Sequence, residues 1–459
     1  MTSPPHWRRA FQPLPREHGF QPLEVEGTFP PDLRGTLYRV GPGSFAAGAE
    51  AFGHWFDGDG AVTAVRLGDG AVEGACRFVD ARERAVEQRL GRRAFRGFGT
   101  GAPHPAAARV KRPVNVGALW WGGQLYALGE GASPHAVDAA TLETRGPSDL
   151  GGALRSAFAA HPHRVPARRA AYNFGLRHGR RFEVDLLELP DGGPARLLCT
   201  VPLRSPRYLH DFAVTERRAV FVLPPLEADL DALLGGTGPV AAAFRWRADA
   251  ATEILTVELD PPHRATWSEA DPFFVWHLAS AAEQGGGEGL WVDLVSYPDF
   301  GINDWYGALP YREPGDAPPG TLARVRVAAS AGPGARAPVE PLSDVSCEMP
   351  AAAGGAVAAV ARTASAPGGA PHDAVAVVDR ESGRARWLSP GPDRYPSGEP
   401  CVAGQHLLTL VYDARAHRSG LMAFDLRDPG SAAGPVAAAW FDHHLPPAFH
   451  GAWVCATGR

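Results

Sequence analysis

Short apolar runs separated by turn residues make up most of this chain. The sequence contains 54 Gly and 44 Pro, which fall between the runs throughout. One pattern recurs: an apolar run, an aspartate at its end, a polar turn, and a second apolar run. It occurs in "DAVAVVDRESGRARWLSPG", where residues 375–378 precede Asp379, and again around Asp138 and Asp425. Short strands joined by such turns predict an all-β protein.

The repeat favours a β-propeller, whose blades commonly read as strand, acid, turn and strand. A large β-sandwich is the alternative that this pattern alone leaves open. No linker clearly divides the chain, so we predict a single domain over residues 1–459.

Helical periodicity is scarce, and its clearest case lies in "PLEADLDALLGGTG". Leu226, Leu230, Leu233 and Leu234 recur there at the spacing of one helix face. We predict an amphipathic helix over 226–236 that ends at a glycine pair. Such a helix could touch a membrane to collect a lipophilic substrate, or it could pack on the protein.

The composition excludes several functional classes. Of 459 residues, 45% are hydrophobic and 21% charged, with a net charge of −5, so we expect a globular protein without a basic face for nucleic acid. Five scattered cysteines without a C-x-x-C motif argue for a reducing compartment rather than a disulfide framework. The sequence shows neither a secretory signal nor a window long enough to span a bilayer. We expect a cytoplasmic protein, and any contact with a membrane would be peripheral. No protein partner is implied.

Four of the 17 histidines stand at the edges of apolar, aromatic-rich runs: His161, His210, His277 and His450. Their successive separations of 49, 67 and 173 residues fit no helical or zinc-finger spacing. A site made from them needs a ring architecture that brings distant strand ends to one axis. A propeller supplies such an architecture.

Three glutamates lie in apolar contexts: Glu130, Glu348 and Glu399. A metal-binding imidazole usually donates from its second nitrogen to a carboxylate or carbonyl, so a metal site would give these acids partners. Taken singly, each of these acids and histidines is more often an ordinary core or strand-end polar group. Taken together, the seven residues favour a metal site.

Motifs along nearly the whole chain point to one family. They are "GTLYRVGPG" at 35–43, "HWFDGDGAV" at 54–62, "EGASPHAVDAATLET" at 130–144, "AHPHR" at 160–164, "YNFG" at 172–175, "LHDFAVTE" at 209–216, "GEPCV" at 398–402 and "FHGAW" at 449–453. Together they resemble the carotenoid cleavage oxygenases, a family that includes apocarotenoid oxygenases, plant carotenoid dioxygenases and the retinal pigment epithelium isomerase.

The resemblance implies a seven-bladed β-propeller with a cap of loops and short helices over an axial non-haem Fe(II) site. It implies that the iron ligands are His161, His210, His277 and His450, and that Glu130, Glu348 and Glu399 orient three of them. The implied reaction is cleavage by O2 of a C=C double bond of a carotenoid or apocarotenoid, giving aldehyde or ketone products. No catalytic residue beyond the metal centre is implied.

Aromatic residues beside the ligands could line a dry tunnel for such a polyene: Phe273, Phe274, Trp276 and Phe449. Ordinary core packing is the alternative for all four residues.

Two other functions stay open at this point. Stilbene-cleaving members of the family resemble one another in carrying a lysine just before the first glutamate. Here that position is Gly129, and Lys111 is far from it in sequence, which favours an apocarotenoid over a stilbene or phenylpropenoid. A propeller without oxygenase activity, acting as a binding module or a lactonase, is the third possibility.

Overall fold

The structure is a computed structural model that describes residues 6–68, 70–105, 109–178, 182–285, 289–328, 334–367, 369–427 and 434–456. Strands account for 49% of the residues and helices for 9%, so the prediction of a mostly β protein is confirmed.

The strands are short and follow one another closely along the chain. The first group is β1 His18–Pro22, β2 Glu24–Gly27, β3 Gly35–Ser44, β4 Ala46–Ala47, β5 Glu50–Ala51, β6 Asp59–Leu67, β7 Val72–Phe78, β8 Gly117–Trp121, β9 Gln124–Leu128, β10 His135–Val137 and β11 Thr144–Pro147. The second group is β12 His163–Val165, β13 Ala170–His178, β14 Phe182–Pro190, β15 Arg196–Pro202, β16 Phe212–Val214, β17 Arg218–Leu223, β18 Leu226–Ala228, β19 Phe244–Trp246, β20 Thr252–Glu258, β21 Ala265–Ala270 and β22 Phe274–Glu283. The third group is β23 Gly289–Tyr297, β24 Thr321–Ala328, β25 Val339–Ala353, β26 Ala356–Ala361, β27 Ala374–Asp379, β28 Ala385–Leu388, β29 Arg394–Ala403, β30 His406–Asp413, β31 Arg418–Asp425, β32 Ala437–Trp440 and β33 Gly451–Cys455.

Within the described residues, three α-helices lie between strands: α1 Arg82–Leu90, α2 Leu230–Gly235 and α3 Gly301–Ala308. Short 3-10 helices cover His6–Phe11, Trp55–Asp57, Pro166–Arg168 and Val240–Ala243.

The larger sheets are antiparallel, and most contain strands that are close in sequence. In spatial order they are β1-β7-β6-β3-β33, β11-β10-β9-β8, β12-β13-β14-β15, β16-β17-β20-β21, β22-β23-β24-β25-β26-β27-β28 and β2-β32-β31-β30-β29. The pairs β4-β5 and β18-β19 form small separate sheets.

The seven-stranded sheet consists of two units that share the long strand β25. Residues 339–346 of β25 pair with β24, whereas residues 347–353 pair with β26. The strand changes partner between Ser346 and Cys347, and its register with β26 shifts just after this point, between Glu348 and Ala351. Each unit therefore has the four-stranded make-up of its neighbours.

Neighbouring sheets meet through one strand each, and these contacts follow one another in a ring. The contacting pairs are β8 with β33, β33 with β29, β29 with β25, β25 with β22, β22 with β16, and β16 with β12. Gly117 of β8 lies against the carbonyl of Ala160, just before β12, which brings the ring back to its start. The arrangement is propeller-like, and it brings residues from distant parts of the chain to a common centre.

The two ends of the chain are interlocked. The last strand, β33, pairs with β3 in the first sheet, and the early strand β2 pairs with β32 in the last sheet. Each end thus completes a sheet made mostly by the other end, so the ring is closed by backbone hydrogen bonds.

The aspartates of the recurring pattern stabilise the turns that follow their strands. Asp138 accepts hydrogen bonds from the backbone N–H groups of Ala140 and Thr141. Asp379 and Asp425 accept in the same way from residues two or three positions later. Such side-chain contacts favour a tight turn, which explains why an acid at the strand end marked each hairpin in the sequence.

Continuous apolar runs arise because strands inside the ring are buried on both faces. In β17, Val220 and Val222 pack with Val292 of β23, in one apolar cluster. Phe221, between them, packs with Leu186 of β14 in another cluster. Alternate side chains of one strand therefore fill the spaces on its two sides.

The predicted helix over 226–236 is wrong at its start. Leu226 belongs to strand β18 and is fully buried, and the helix begins only at Leu230, after the N-cap Asp229. Asp229 accepts a hydrogen bond from the N–H of Ala232, which fixes that start. The four leucines thus do not form one helical face. No helix within the described ranges is long and apolar enough to cross a membrane.

Candidate metal centre

The structure brings the four selected histidines together at the centre of the ring. The Nε2 atom of His161 lies 2.9 Å from that of His210, which lies 3.3 Å from that of His277, which in turn lies 3.0 Å from that of His450. All four side chains are buried. Their Nε2 atoms thus converge on one point although the residues are far apart in the sequence.

Inner strands place these histidines. His161, His210 and His450 each stand one or two residues before an inner strand, β12, β16 and β33 respectively. His277 lies within β22, where the register with β23 shifts between Val275 and Leu278. That irregularity interrupts the strict alternation of side chains between the two faces of the strand.

The backbone around His450 is held on both sides. Its N–H donates to the carbonyl of Val116 at 2.9 Å, and its carbonyl accepts from the N–H of Val40 at 3.0 Å. A Cβ on the next residue, Gly451, would lie 2.0 Å from the carbonyl oxygen of Tyr38, so only glycine fits there. The "FHGAW" stretch is therefore part of the closed ring although it lies near the end of the sequence.

The three predicted glutamates lie beside three of the histidines, with different contacts. Nδ1 of His277 donates to Glu348 at 2.6 Å, and Nδ1 of His450 donates to Glu399 at 3.3 Å. Glu130 lies 3.1 Å from Nδ1 of His210, but the two groups are not aligned for a hydrogen bond.

The burial of these glutamates also differs. The side chain of Glu348 is 1% exposed, that of Glu399 26%, and that of Glu130 40%. Of the three glutamates in apolar sequence contexts, only Glu348 is therefore fully buried. Burial raises the pKa of Glu399 to about 6, against the opposing effect of the nearby Arg39.

The protonation pattern leaves the centre suited to a cation. A carboxylate accepts hydrogen bonds, so His277 and His450 carry their protons on Nδ1 and direct the Nε2 lone pairs inward. Burial lowers the pKa of His161 and of His450 well below the usual value, and the neighbouring imidazoles lower it further, so these rings are neutral. Burial also acts to lower the pKa of His277, but Glu348 outweighs it and raises that pKa.

The spacing of the Nε2 atoms fits metal coordination. Two nitrogens about 2.1 Å from an ion and at right angles to each other are about 3.0 Å apart. The observed 2.9, 3.3 and 3.0 Å agree with this separation. Converging lone pairs without a hydrogen between them repel one another, and a bound cation removes that repulsion. The residues present therefore fit a metal ion.

Glu348 stands at a strained point of β25. The next residue, Met349, has a φ of 51°, which a residue with a side chain rarely adopts. The Glu348 carboxylate also accepts from the N–H of Met349. The bend in β25 thus directs this carboxylate toward His277. The surrounding packing offsets the conformational cost of the bend.

Asp211 is a buried acid of the centre that the sequence analysis missed. Its carboxylate accepts from the backbone N–H of Leu278 at 2.7 Å and from Nε2 of His163 at 2.9 Å. It thereby ties the residue after His210 to the residue after His277. Burial acts to raise the pKa of Asp211, but the surrounding histidines outweigh it and hold that pKa below its usual range. Its position directly after His210 in "LHDFAV" was the available signal.

A cavity of about 1010 Å³ opens beside the histidines. His210, His277 and His450 line its inner end, together with aromatic side chains that include Phe56, Trp276 and Phe449. The ring of Phe56 packs edge-on against Trp276 and against Phe449, with centroids 5.4 and 5.5 Å apart. Trp276 and Phe449, two of the four residues predicted for the tunnel, thus line this cavity.

Phe273 and Phe274, the other two residues predicted for the tunnel, do not line this cavity. Phe274 is fully buried behind Trp276, with ring centroids 5.0 Å apart, and Phe273 packs in a separate apolar cluster. Both residues therefore pack as core residues.

Lys111 lies in the cavity wall although it is far from Gly129 in sequence. Its ammonium group contacts Asp59 at 2.7 Å and Glu87 at 2.9 Å, and it lies 3.8 Å from the centre of the Phe52 ring. The lysine is thus held by partners within the protein. A Cβ at Gly129 would lie 2.0 Å from the carbonyl oxygen of Pro113, so the backbone leaves no room for a side chain there.

Comparisons with known proteins agree with this geometry. The family model described as retinal pigment epithelial membrane protein matches residues 11–455. The apocarotenoid-15,15'-oxygenase of Synechocystis sp. is 31% identical, covering 98% of this chain and 96% of that protein. Carotenoid cleavage oxygenase 1 of Neurospora crassa is 31% identical, covering 60% of this chain and 53% of that protein. Lignostilbene-alpha,beta-dioxygenase isozyme III of Sphingomonas paucimobilis is 28% identical, covering 49% and 47%.

Solved structures resemble the chain along nearly its whole length. A glutamate-to-glutamine variant of Synechocystis apocarotenoid oxygenase has a TM-score of 0.88 and 30% identity, with 99% of each chain covered. A cobalt-substituted form of the Synechocystis protein has a TM-score of 0.86 and 29% identity, also with 99% of each chain covered.

Proposed function

Because the chain belongs to the family of the retinal pigment epithelial membrane protein and the carotenoid cleavage oxygenases, we propose that it cleaves a C=C double bond of a carotenoid or apocarotenoid with O2. The products are carbonyl compounds, either aldehydes or ketones. The chain is thus an alkene-cleaving dioxygenase. An apocarotenoid is favoured because a relative that matches over nearly both full lengths is an apocarotenoid oxygenase.

One observation carries this proposal: four imidazole nitrogens converge beside an aromatic-lined cavity. A binding module or a lactonase has no need for four converging imidazoles at the end of an apolar cavity. An enzyme that brings an alkene to a metal needs both features.

We propose Fe(II) as the resident ion, held by His161, His210, His277 and His450. Imidazole also suits zinc, copper and nickel, so the choice of iron rests on the family. When bound, the ion supplies the site at which O2 is activated beside the alkene.

The glutamates keep the histidines ready for that ion. Glu348 and Glu399 hold the protons of His277 and His450 on Nδ1, which leaves each Nε2 lone pair free. Together with Glu130 they offset the positive charge of a centre whose direct ligands are all neutral.

The cavity wall positions the substrate and excludes water. Its volume of about 1010 Å³ lies at the upper end of the roughly 300–1,000 Å³ of common ligand pockets, which suits a long molecule. Phe56, Trp276 and Phe449 surround the inner end, so an apolar polyene replaces water next to the histidines.

For the fold, we propose a single seven-bladed propeller domain over residues 1–459 with a cap of loops and short helices. The count of seven is supported by the division of the seven-stranded sheet at β25, which adds one blade to the other sheets of the ring.

A stilbene or phenylpropenoid is the less favoured substrate. Gly129 cannot carry the lysine expected of stilbene cleavers, and Lys111, which does line the cavity, is paired with Asp59 and Glu87. A lysine held by two carboxylates is poorly placed to polarise a phenol.

Contact with a membrane stays a prediction, and the apolar surface available for it is smaller than the predicted helix face. Leu230 and Leu233 pack partly into the protein, whereas Leu234 is 64% exposed beside the cavity opening. This single leucine is what remains of the four-leucine face.

The proposed reaction is tested with iron-loaded protein, one apocarotenal and one hydroxystilbene, with products identified by mass. We expect O2 consumption and two carbonyl products from the apocarotenal. Turnover of the stilbene alone would contradict the assigned substrate class, and no turnover of any polyene would contradict the proposed function.

A further inference from the structure

A second group of metal-binding side chains lies away from the four-histidine centre. His18 of β1, Cys76 of β7 and His443, in the segment after β32, are all buried. His18 and Cys76 are direct partners across the β1–β7 ladder. The ligating atoms of the three residues all lie within 4.8 Å of one another, and the two Nε2 atoms are 3.0 Å apart.

The hydrogen bonds of the two rings leave their facing nitrogens without a proton. Nδ1 of His18 lies 2.8 Å from the carbonyl oxygen of Gly19, and Nδ1 of His443 lies 2.7 Å from that of His444. A carbonyl only accepts, so both Nδ1 atoms must carry hydrogen. In neutral rings the two Nε2 atoms then face each other as lone pairs, an arrangement that a shared cation stabilises.

We propose that His18, Cys76 and His443 form a zinc site. Two imidazoles and a thiolate are typical zinc ligands, and the backbone carbonyls that accept from both Nδ1 atoms are the usual support for such histidines. Nitrogens roughly 2.0–2.1 Å from a tetrahedral zinc are about 3.3 Å apart, so a small rotation of either ring from 3.0 Å meets that geometry.

The binding step needs no redox partner. The two imidazoles each donate a lone pair, and the Cys76 thiol releases its proton to solvent as the zinc–sulfur bond forms. A fourth position remains for water. The charged groups around Cys76 are Arg16, which is paired with Asp442, and Glu17, so no unpaired positive charge in the described part of the chain opposes the ion at Cys76.

The site would stabilise the closure of the ring. His18 and Cys76 belong to the sheet that contains β33, whereas His443 leaves the last sheet and leads toward His450. An ion bound by all three would tie the first sheet to the segment that delivers His450. This role is independent of the proposed function.

Cobalt tests the site because a thiolate bound to Co²⁺ gives a near-ultraviolet charge-transfer band that imidazole ligands do not give. The four-histidine centre contains no cysteine, so such a band reports only the second site. Because the four-histidine centre also binds divalent ions, we expect the band to saturate at one equivalent of Co²⁺ per chain beyond the ion held at that centre. We also expect Zn²⁺ to abolish the band by competition and to raise the melting temperature.

Variants identify the ligands. Cys76→Ser should remove the band and reduce the rise in melting temperature that Zn²⁺ causes, and His443→Gln should weaken binding of Co²⁺ at this site at least tenfold. Cys199→Ser, which changes a half-buried cysteine of β15, should leave both unchanged. A wild-type protein without the band, or a band that persists in Cys76→Ser, would overturn the site. His18 and His443 would then be a hydrogen-bonded imidazole and imidazolium.

Discussion

The four histidines fall into two pairs that the protein holds differently. The fixed pair, His277 and His450, donates from Nδ1 to Glu348 and Glu399. The loose pair, His161 and His210, lacks such bonds among the described residues, because Glu130 is not aligned with His210. The fixed pair is therefore oriented before an ion binds, whereas the loose pair can adjust to it.

This difference follows from where the acids stand. Glu348 is 1% exposed at the strained bend of β25, and a buried carboxylate is costly unless it is paired. Glu130 follows β9 in a loop, 40% exposed beside the cavity. Water can therefore screen Glu130 but not Glu348. A carboxylate that lies close to a ligand histidine is therefore not equivalent to one that fixes that histidine by a hydrogen bond.

The largest expected effect is the loss of a fixed ligand. His450→Ala should abolish iron binding and turnover while the melting temperature stays close to that of the metal-free wild type, since the backbone hydrogen bonds of residue 450 remain. Iron analysis, activity and thermal melting provide the readouts. His135→Ala, outside the centre, is the control, and full activity in His450→Ala would refute the ligand assignment.

The next largest effect is expected at the two acids that hydrogen-bond the fixed pair. Glu348→Gln and Glu399→Gln should each weaken metal binding by roughly 10–100-fold. Glu348 should lie at the upper end, because its hydrogen bond is shorter and its side chain is more buried. Competition with a chelator measures the two affinities, and an affinity equal to wild type in either variant would exclude that acid from an orienting role.

A smaller effect is expected from the acid beside the loose pair. Glu130→Gln should weaken metal binding by less than about 10-fold, below the usual range for acids that orient a ligand. The same chelator competition applies, with Glu348→Gln measured alongside. If Glu130→Gln were as damaging as Glu348→Gln, the distinction between the two pairs would be wrong.

The smallest effect concerns the rim of the cavity. Leu234→Gln should change stability by no more than about 0.5 kcal/mol, because the side chain is largely exposed. It should raise the KM for an apocarotenal, since Leu234 lines the cavity opening. Leu90→Gln, an equally polar change at a leucine that is 50% exposed outside the cavity lining, is the matched control. Equal KM values in the two variants would show that Leu234 takes no part in substrate uptake.

Much of the fold was predictable because local chemistry and tertiary structure agree. The aspartate after each apolar run stabilises a tight turn on its own, so the hairpins around Asp138, Asp379 and Asp425 were visible in the sequence. The seven histidines and glutamates were selected by their unusual apolar contexts, and the structure brings them together.

The parts that failed depend on packing that no local pattern records. The leucine spacing of 226–236 fits a helix, yet Leu226 pairs in a strand with Trp246. Phe273 and Phe274 stand close to His277 in sequence, but they pack in apolar clusters, whereas Trp276 lines the cavity. Asp211 was overlooked because its partners, His163 and the N–H of Leu278, come from other strands.

The central claim is that the four-histidine centre carries the reaction, and the most direct test is the dependence of turnover on bound iron. Metal-free protein is titrated with Fe(II) under anaerobic conditions, and apocarotenal cleavage is measured after O2 is admitted. We predict that activity rises in proportion to iron and saturates at one ion per chain. Activity that does not depend on iron would contradict the account. So would a protein that binds one iron per chain and cleaves none of the alkenes supplied.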